Sequence, residues 1–241
     1  MFYYLFKRIL YAIPVMLGVT FAVFLIISLI PGDPATAILG SYATPENVEN
    51  LNRQLGLDKP FFQRYIIWVV NVLQGDFGTS YSLNRPVIDE VLERFQATLI
   101  LSGTSFIICS VFGILFGIIS SALQYSFFDK IITFSVILGI SIPSFFLGMM
   151  MILLFTVELR LLPASGMYSL YGGGDFKDLL KHLIMPSTAL AIVATGVVVR
   201  LSRSIMLEIL RLDFIRTARS KGLKEYRVIF IHAFRLAIVS I

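Results

Sequence analysis

Polar and apolar positions along this chain are segregated on a scale too coarse for a soluble domain. Four runs contain no Asp, Glu, Lys or Arg: Ile9 to Ile30 (22 residues), Phe95 to Phe128 (34), Ile131 to Val157 (27) and Leu183 to Val199 (17). Twenty helical residues cover about 30 Å, the thickness of a hydrocarbon core, so the first three predict transmembrane helices by length alone. A Lys or Asp at mid-bilayer costs about 2.5–3.5 kcal/mol, which is why charges mark the ends of such helices. In the fourth run the aliphatic residues from Leu183 to Val199 favour insertion by roughly 4 kcal/mol in sum, partly offset by Pro186, Ser187, Thr188 and Gly196. It predicts a span that relies on its neighbours. The pattern therefore predicts an all-α, polytopic membrane bundle: an N-terminal transmembrane helix within 1–30, an extramembrane segment 31–94, and further spans at 95–123, 131–157 and 183–201.

The first run is expected to be an uncleaved helix rather than a signal peptide. A signal's apolar core of about 7–15 residues ends at a small-x-small site, whereas here the apolar residues continue into Ile30, Pro31 and Gly32 without one. Pro14 and Pro143 fall inside their runs and predict kinks. Pro186 falls near an expected helix start, where it costs little.

The two segments expected outside the membrane carry their own signals. Thr44, Pro45 and Glu46 read as an N-cap, a first helical residue and an acid in the first turn, with Val48, Leu51 and Leu55 on one face and Gly56 as the stop. Phe61, Phe62, Tyr65, Ile66, Val69, Val72 and Leu73 then share a helical face, with Trp68 beside it. Such a helix suits the outer interface or the rim of the bundle. Gly172, Gly173 and Gly174 predict a flexible loop.

Composition agrees with this reading: 57% of residues are hydrophobic, only 15% are charged, and the mean hydropathy is +0.84. Ordinary globular chains carry about 25% charged residues. The net charge of +5 conceals a separation. From Pro31 to Arg94, five basic residues face eight acids; from Glu158 to His182 the count is three against three; from Arg200 onward there are nine basic residues and three acids. Lys and Arg excess marks the cytoplasmic side, so the N-terminus, with Lys7 and Arg8, and the segment after Arg200 are expected inside. The Asp129–Lys130 turn is neutral and gives no vote. Cys109, the single cysteine, cannot build a disulfide framework.

Several chemistries are missing. No run forms a phosphate loop, since the only Lys-Gly pair, Lys221-Gly222, has the wrong order. His182 and His232 are expected on opposite sides of the membrane and build no metal site. Ser102 and Ser105 have no basic partner at depth, and hydroxyls inside spans usually bond to their own helix or a neighbour. The chain is therefore not expected to be an enzyme, and no cofactor is implied. None of the charge-free runs holds a histidine, whereas proton-coupled carriers usually place an ionisable group in the bundle interior. Gly113 and Gly117 form a G-x-x-x-G spacing expected to be a helix-packing face.

The basic segment is where function can be argued. Asp213 is an N-cap candidate, Phe214 to Lys221 would form two turns, Arg219 and Lys221 complement the C-terminal dipole, and Gly222 is a left-handed stop. A second helical stretch is expected from about Lys224 to Phe234. Thr217 and Ala218 are small, so that a partner's backbone could approach. Two readings stay open on these residues alone: a loop binding anionic membrane lipids, as in a membrane anchor or assembly protein, or a docking knob for a protein partner.

The run Asp213-Phe-Ile-Arg-Thr-Ala-Arg-Ser-Lys-Gly-Leu223 resembles the cytoplasmic EAA loop of bacterial ABC importer permeases. Arg216, Thr217 and Ala218 stand where the family commonly has Glu-Ala-Ala, and Gly222 matches the motif's glycine. The Arg-Thr-Ala form, followed by His232-Ala233-Phe234-Arg235, is similar to the branch importing dipeptides, oligopeptides, nickel or glutathione. Four more runs agree in order: Pro31-Gly32-Asp33-Pro34, Leu55 to Pro60, Gln74-Gly75-Asp76-Phe77-Gly78, and Leu162-Pro163-Ala164-Ser165-Gly166. The resemblance implies the type I importer fold. It also implies a permease subunit in a bacterial or archaeal cell membrane, forming half of a translocation pathway. The implied partners are a second permease, two cytoplasmic ATPase subunits and an extracytoplasmic solute-binding protein, with no nucleic acid. It assigns ATPase coupling to Asp213, Arg216, Thr217, Ala218, Arg219, Lys221, Gly222 and Leu223. Typical members have six spans; the residues to Ile241 supply four and the start of a fifth at 236–241, with Leu236 where relatives commonly have Asn. A truncated permease that does not transport is the alternative within this resemblance.

Overall fold

The computed structural model describes residues 2–30, 32, 34–80, 83, 85–169 and 174–240. Pro31 and Asp33 of one motif run, and Gly172 and Gly173 of the expected loop, lie outside the described residues. The chain divides into two compact units, Met1–Arg94 and Phe95–Ile241.

In the first unit, α1 (Phe2–Leu29) is one helix through Pro14, and most of its large apolar side chains are exposed, as suits a helix solvated by lipid. Helix α2 (Pro34–Leu39) and a 3₁₀ turn (Gly40–Tyr42) lead to α3 (Pro45–Gln54). The Thr44 side chain caps α3 by accepting from the Asn47 amide at 3.3 Å. Helix α4 (Phe61–Leu73) lays its aromatic face on α1. Phe21 and Phe24 meet Phe61, Phe62, Tyr65 and Trp68 at ring separations of 5.2–6.2 Å. The Tyr65 hydroxyl lies 2.9 Å from Thr20 Oγ1 and donates to the Leu17 carbonyl at 3.0 Å. Each such ring pair adds about 0.5–1.5 kcal/mol beyond area burial. A two-residue antiparallel ladder, β1 (Thr79–Ser80) with β2 (Arg85–Pro86), precedes α5 (Val87–Ala122). That helix starts eight residues before the charge-free run, its first turns carrying Glu90 between Arg85 and Arg94.

The second unit holds the rest of α5 together with α6 (Phe127–Ser141), α7 (Ser144–Met151) and α8 (Phe176–Ile209). Helix α7 continues as π-helix over Ile152–Glu158. Helices α1, α5 and α8 are long and apolar enough to cross a membrane, and α6 with α7 forms a broken pair bent by 98°. The expected kink at Pro143 is a full break. Proline bars its predecessor from the helical region, and Ile142 is accordingly extended at φ −89°, ψ 123°.

The expectation for Pro186 is corrected. Helix α8 begins at Phe176, where Asp175 caps it by accepting from the Asp178 amide at 2.8 Å, so Pro186 lies in the helix interior. The hydroxyls of Ser187 and Thr188 bond back to the Leu183 and Ile184 carbonyls around it. Three helical glycines admit close neighbours from a second helix. A Cβ at Gly113 would lie 2.6 Å from Val198 Cβ, and one at Gly117 would lie 2.5 Å from Ser202 Cβ and 3.2 Å from the Arg203 amide nitrogen. Gly196 of α8 has the same relation to Ile140 of α6, at 2.6 Å.

Overpacking of this kind costs about 1–3 kcal/mol. Gly117→Val is therefore expected to lower the melting temperature of the detergent-solubilised protein. Gly103→Ala on the same helix, where nothing lies within 4 Å of the added carbon, is expected to leave it unchanged. Equal melting of the two variants would contradict the close approach.

Candidate functional site

The second unit's polar end is built from the end of α8 outward. After Ile209 the chain turns at Leu210 to Leu212 and enters α9 (Asp213–Ser220). Asp213 is not the N-cap: Leu212 occupies that place with extended backbone, and Asp213 is the first helical residue. There its carboxylate complements the helix N-terminus and pairs with Arg216 at 3.3 Å. Gly222 ends the element at φ +75°, its amide donating to the Arg219 carbonyl at 2.9 Å. The following stretch is α10 (Glu225–Arg227), a π-helical turn (Val228–Ala233) and α11 (Phe234–Ala237).

Helix α9 is seated on the chain's own core. Ile215 is fully buried and Ala218 nearly so, packed with Ile118 of α5, Met206 and Ile209 of α8, and Val228 beyond. The expected approach of a partner's backbone at Ala218 is thereby corrected, because that small side chain admits the molecule's own helices. Leu223 packs on the same cluster. Arg219 is committed within the knob as well, bridging to Glu225 through Nη2 at 2.6 Å and Nε at 3.2 Å. The outward face is formed by Phe214, Arg216, Thr217, Ser220 and Lys221, all exposed. Of the residues assigned from the motif, then, Arg216, Thr217 and Lys221 face outward, while Ala218, Leu223 and Arg219 hold the knob together.

Behind the knob lies a polar clamp that sequence reasoning missed. Asp129, only 5% exposed, opens α6 with Ser126 as its N-cap. Its carboxylate accepts from Ser120 Oγ, from the Tyr125 amide at 3.0 Å, and from Arg203 of α8 through Nε at 3.1 Å and Nη2 at 2.9 Å. Arg203 Nε also reaches Ser120 Oγ at 3.0 Å. A buried carboxylate is tolerable only when its lone pairs are filled, and here four donors converge on it. The clamp ties the α5–α6 turn to α8 one turn and a half above the point where α8 ends. Gly117 belongs to it sterically, since its missing side chain lets the Ser202–Arg203 backbone reach α5. The available signal was an acid set among Phe127, Phe128 and Ile131, opposite a guanidinium just past the last charge-free run.

A separate cavity of about 270 Å³ is lined by Pro163 to Gly166 and by His182, whose Nδ1 lies 2.9 Å from the Asp178 carbonyl. Among the described residues no group of three His, Cys, Asp or Glu could hold a metal ion.

Removing one partner of a buried pair costs about 3–5 kcal/mol, toward the lower end here because Arg203 is partly solvated. Asp129→Asn and Arg203→Met are each expected to lower thermal stability markedly. The double variant should lose clearly less than the sum of the two, measured as a double-mutant cycle; strict additivity would dissolve the clamp.

The chain matches the family described as "Binding-protein-dependent transport system inner membrane component" over residues 113–241. It matches the N-terminal region described as "Binding-prot-dependent transport system membrane comp, N-term" over residues 1–102. It is 41% identical over 239 residues to a Brucella abortus (strain 2308) protein that bears a peptide transport permease name, covering 98% of this chain and 74% of that one. It is 36% identical over 239 residues to the oligopeptide transport system permease protein AppB of Bacillus subtilis (strain 168), covering 99% and 76%. It is 36% identical over 263 residues to the dipeptide transport system permease protein DppB of Escherichia coli (strain K12), covering 100% and 78%.

Proposed function

Because this chain belongs to the binding-protein-dependent transport inner membrane components, in their dipeptide and oligopeptide branch of ABC importer permeases, we propose that α9 is the element through which a cytoplasmic ATPase drives it. A permease subunit of an ABC peptide importer is a membrane transport protein and not an enzyme, so the work must come from elsewhere. In this reading the chain supplies half of a translocation pathway, a second permease the other half, two ATPase subunits the energy, and an extracytoplasmic solute-binding protein the substrate. The solute is a peptide or a small solute of that class. The basic end after Arg200 then lies in the cytoplasm with the N-terminus, and the acidic segment 31–94 lies outside, as the Lys and Arg distribution favours.

One observation carries the coupling role. The inner face of α9 is locked into the apolar seat and its outer face is left exposed, with Arg216 paired, among the described residues, to its neighbour Asp213 on the same helix. A push on the outer face is received by a body that includes the ends of α5 and α8. A loop that merely touched lipid would need no such seat.

Charge reversal at an interface arginine costs roughly 2 kcal/mol or more, or about thirtyfold in association. In liposomes containing the assembled complex, Arg216→Glu with Thr217→Trp is expected to abolish ATP hydrolysis stimulated by the loaded binding protein, with the permease's melting temperature unchanged. Ala218→Trp is expected to act differently, lowering the melting temperature because it disrupts the seat. Stimulated hydrolysis at the native rate in the Arg216/Thr217 variant would remove α9 from the coupling path.

A further inference from the structure

Helix α4 crosses α1 instead of running along it. Phe61, Tyr65 and Trp68, spread over two turns of α4, all meet the one ring of Phe24, at 5.4, 5.6 and 6.2 Å. A helix aligned with α1 would meet successive turns of it. Because α1 is long and apolar enough to cross a membrane, a helix laid across it runs along the bilayer plane.

The level of the crossing follows from the charge-free run. A 30 Å core that begins at Ile9 ends near Leu29, so Phe24 lies about 8 Å inside its edge. Leu17, whose carbonyl accepts from the Tyr65 hydroxyl, lies about 18 Å inside. An amphipathic helix lying in the interface buries its apolar face about 5–10 Å past the boundary between headgroups and acyl chains. The crossing point falls within that range.

The rotation of α4 about its own axis agrees. At about 100° per residue, Phe62, Ile66 and Leu73 fall within about 40° of one another and about 180° from Arg64. The Arg64 guanidinium lies 5.8 Å from the centre of the Phe24 ring. It lines a cavity of about 450 Å³ with Ile27, Ser28 and Ile30, so it points to the end of α1 that leaves the core. The opposite stripe is thereby turned toward the bilayer interior, and its three side chains are 61–81% exposed. Exposed apolar residues of α1, Val19 and Met16, continue toward the bilayer centre from the level of α4. The stripe thus extends a surface already solvated by lipid.

We propose that α4 is embedded in one leaflet of the membrane, with Phe62, Ile66 and Leu73 among the acyl chains and Arg64 and Asn71 at the headgroups. Lipid then ties the segment between α1 and α5 to the membrane surface, and the depth of that segment is set by the bilayer. The proposal rests on α1 crossing the membrane, and on neither the coupling role of α9 nor the direction of the crossing. The orientation proposed above makes the leaflet the outer one.

Trp68 is the chain's single tryptophan, so its fluorescence reports on α4 alone. In the full chain reconstituted into phosphatidylcholine liposomes, lipid brominated on its acyl chains is expected to quench Trp68, and aqueous iodide to leave most of the emission. Failure of bromine to quench Trp68 would overturn the proposal. Two variants in a Trp68→Phe background read the rotation: Ile66→Trp is expected to respond chiefly to bromine and Asn71→Trp chiefly to iodide. The same quencher dominating at both positions would also overturn it. Melting temperatures report whether the variants fold; should Trp68→Phe prevent folding, the measurement on the unaltered chain decides. Efficient cross-linking of Ile66→Cys, in a Cys109→Ser background, to a neighbouring protein in native membranes would overturn the proposal as well, assigning the stripe to a protein contact.

Discussion

The buried pairing of Asp129 with Arg203 is the constraint on which the polar end of this molecule depends. A carboxylate with almost no solvent exposure must have its oxygens filled, and Asp129 achieves this by recruiting three parts of the chain: Ser120 near the end of α5, the Tyr125 amide in the turn, and Arg203 from α8. Each donor fixes one element. The turn between α5 and α6 cannot drift from α8 without stranding a charge, and α8 cannot rotate without withdrawing its guanidinium. Helix α9 begins ten residues after Arg203, so the position of the knob is inherited from the clamp.

The clamp in turn depends on what is absent from α5. In lipid no hydrophobic force drives one apolar helix against another, and association relies on van der Waals fit and polar contacts. Gly113 and Gly117 let α8 come close enough for its backbone to pack on α5, and Gly196 does the same for α8 against α6. These three positions and the ion pair act together: the glycines set the distance and the pair sets the rotation. Much of the remaining apolar surface of α1, α5 and α7 is left exposed, which water would penalise and hydrocarbon does not.

Much of this organisation is legible in the residues. The charge-free runs mark the long helices, since a charge at depth is expensive, and the capping pattern at Thr44 and the stop at Gly222 follow from local chemistry that tertiary contacts did not override. The failures have a common cause. The apolar runs mark where hydrocarbon begins and not where the helices do: α5 and α8 begin eight and seven residues earlier, the latter at the polar cap Asp175. The inward orientation of Ala218 was hidden because the seat is assembled from α5, α8 and the residues after Gly222, which no local periodicity links. The role of Asp129 is hidden for a similar reason: beside Lys130 it looks neutral, and its partner Arg203 is 74 residues away.

The break between α6 and α7 has a consequence for hydration. At Ile142 and Pro143 one helix ends and another begins at a steep angle, so the last carbonyls of α6 and the first amides of α7 have no helical partners of their own. Hydrocarbon offers none, and each group left dry there would cost several kcal/mol. The interruption is therefore compatible with a bilayer only where water, a polar solute or another polypeptide meets the backbone. A lipid-tight wall would have kept the helix whole; this one has an opening in its hydrogen-bonding, and that is where the bundle must be wet or covered.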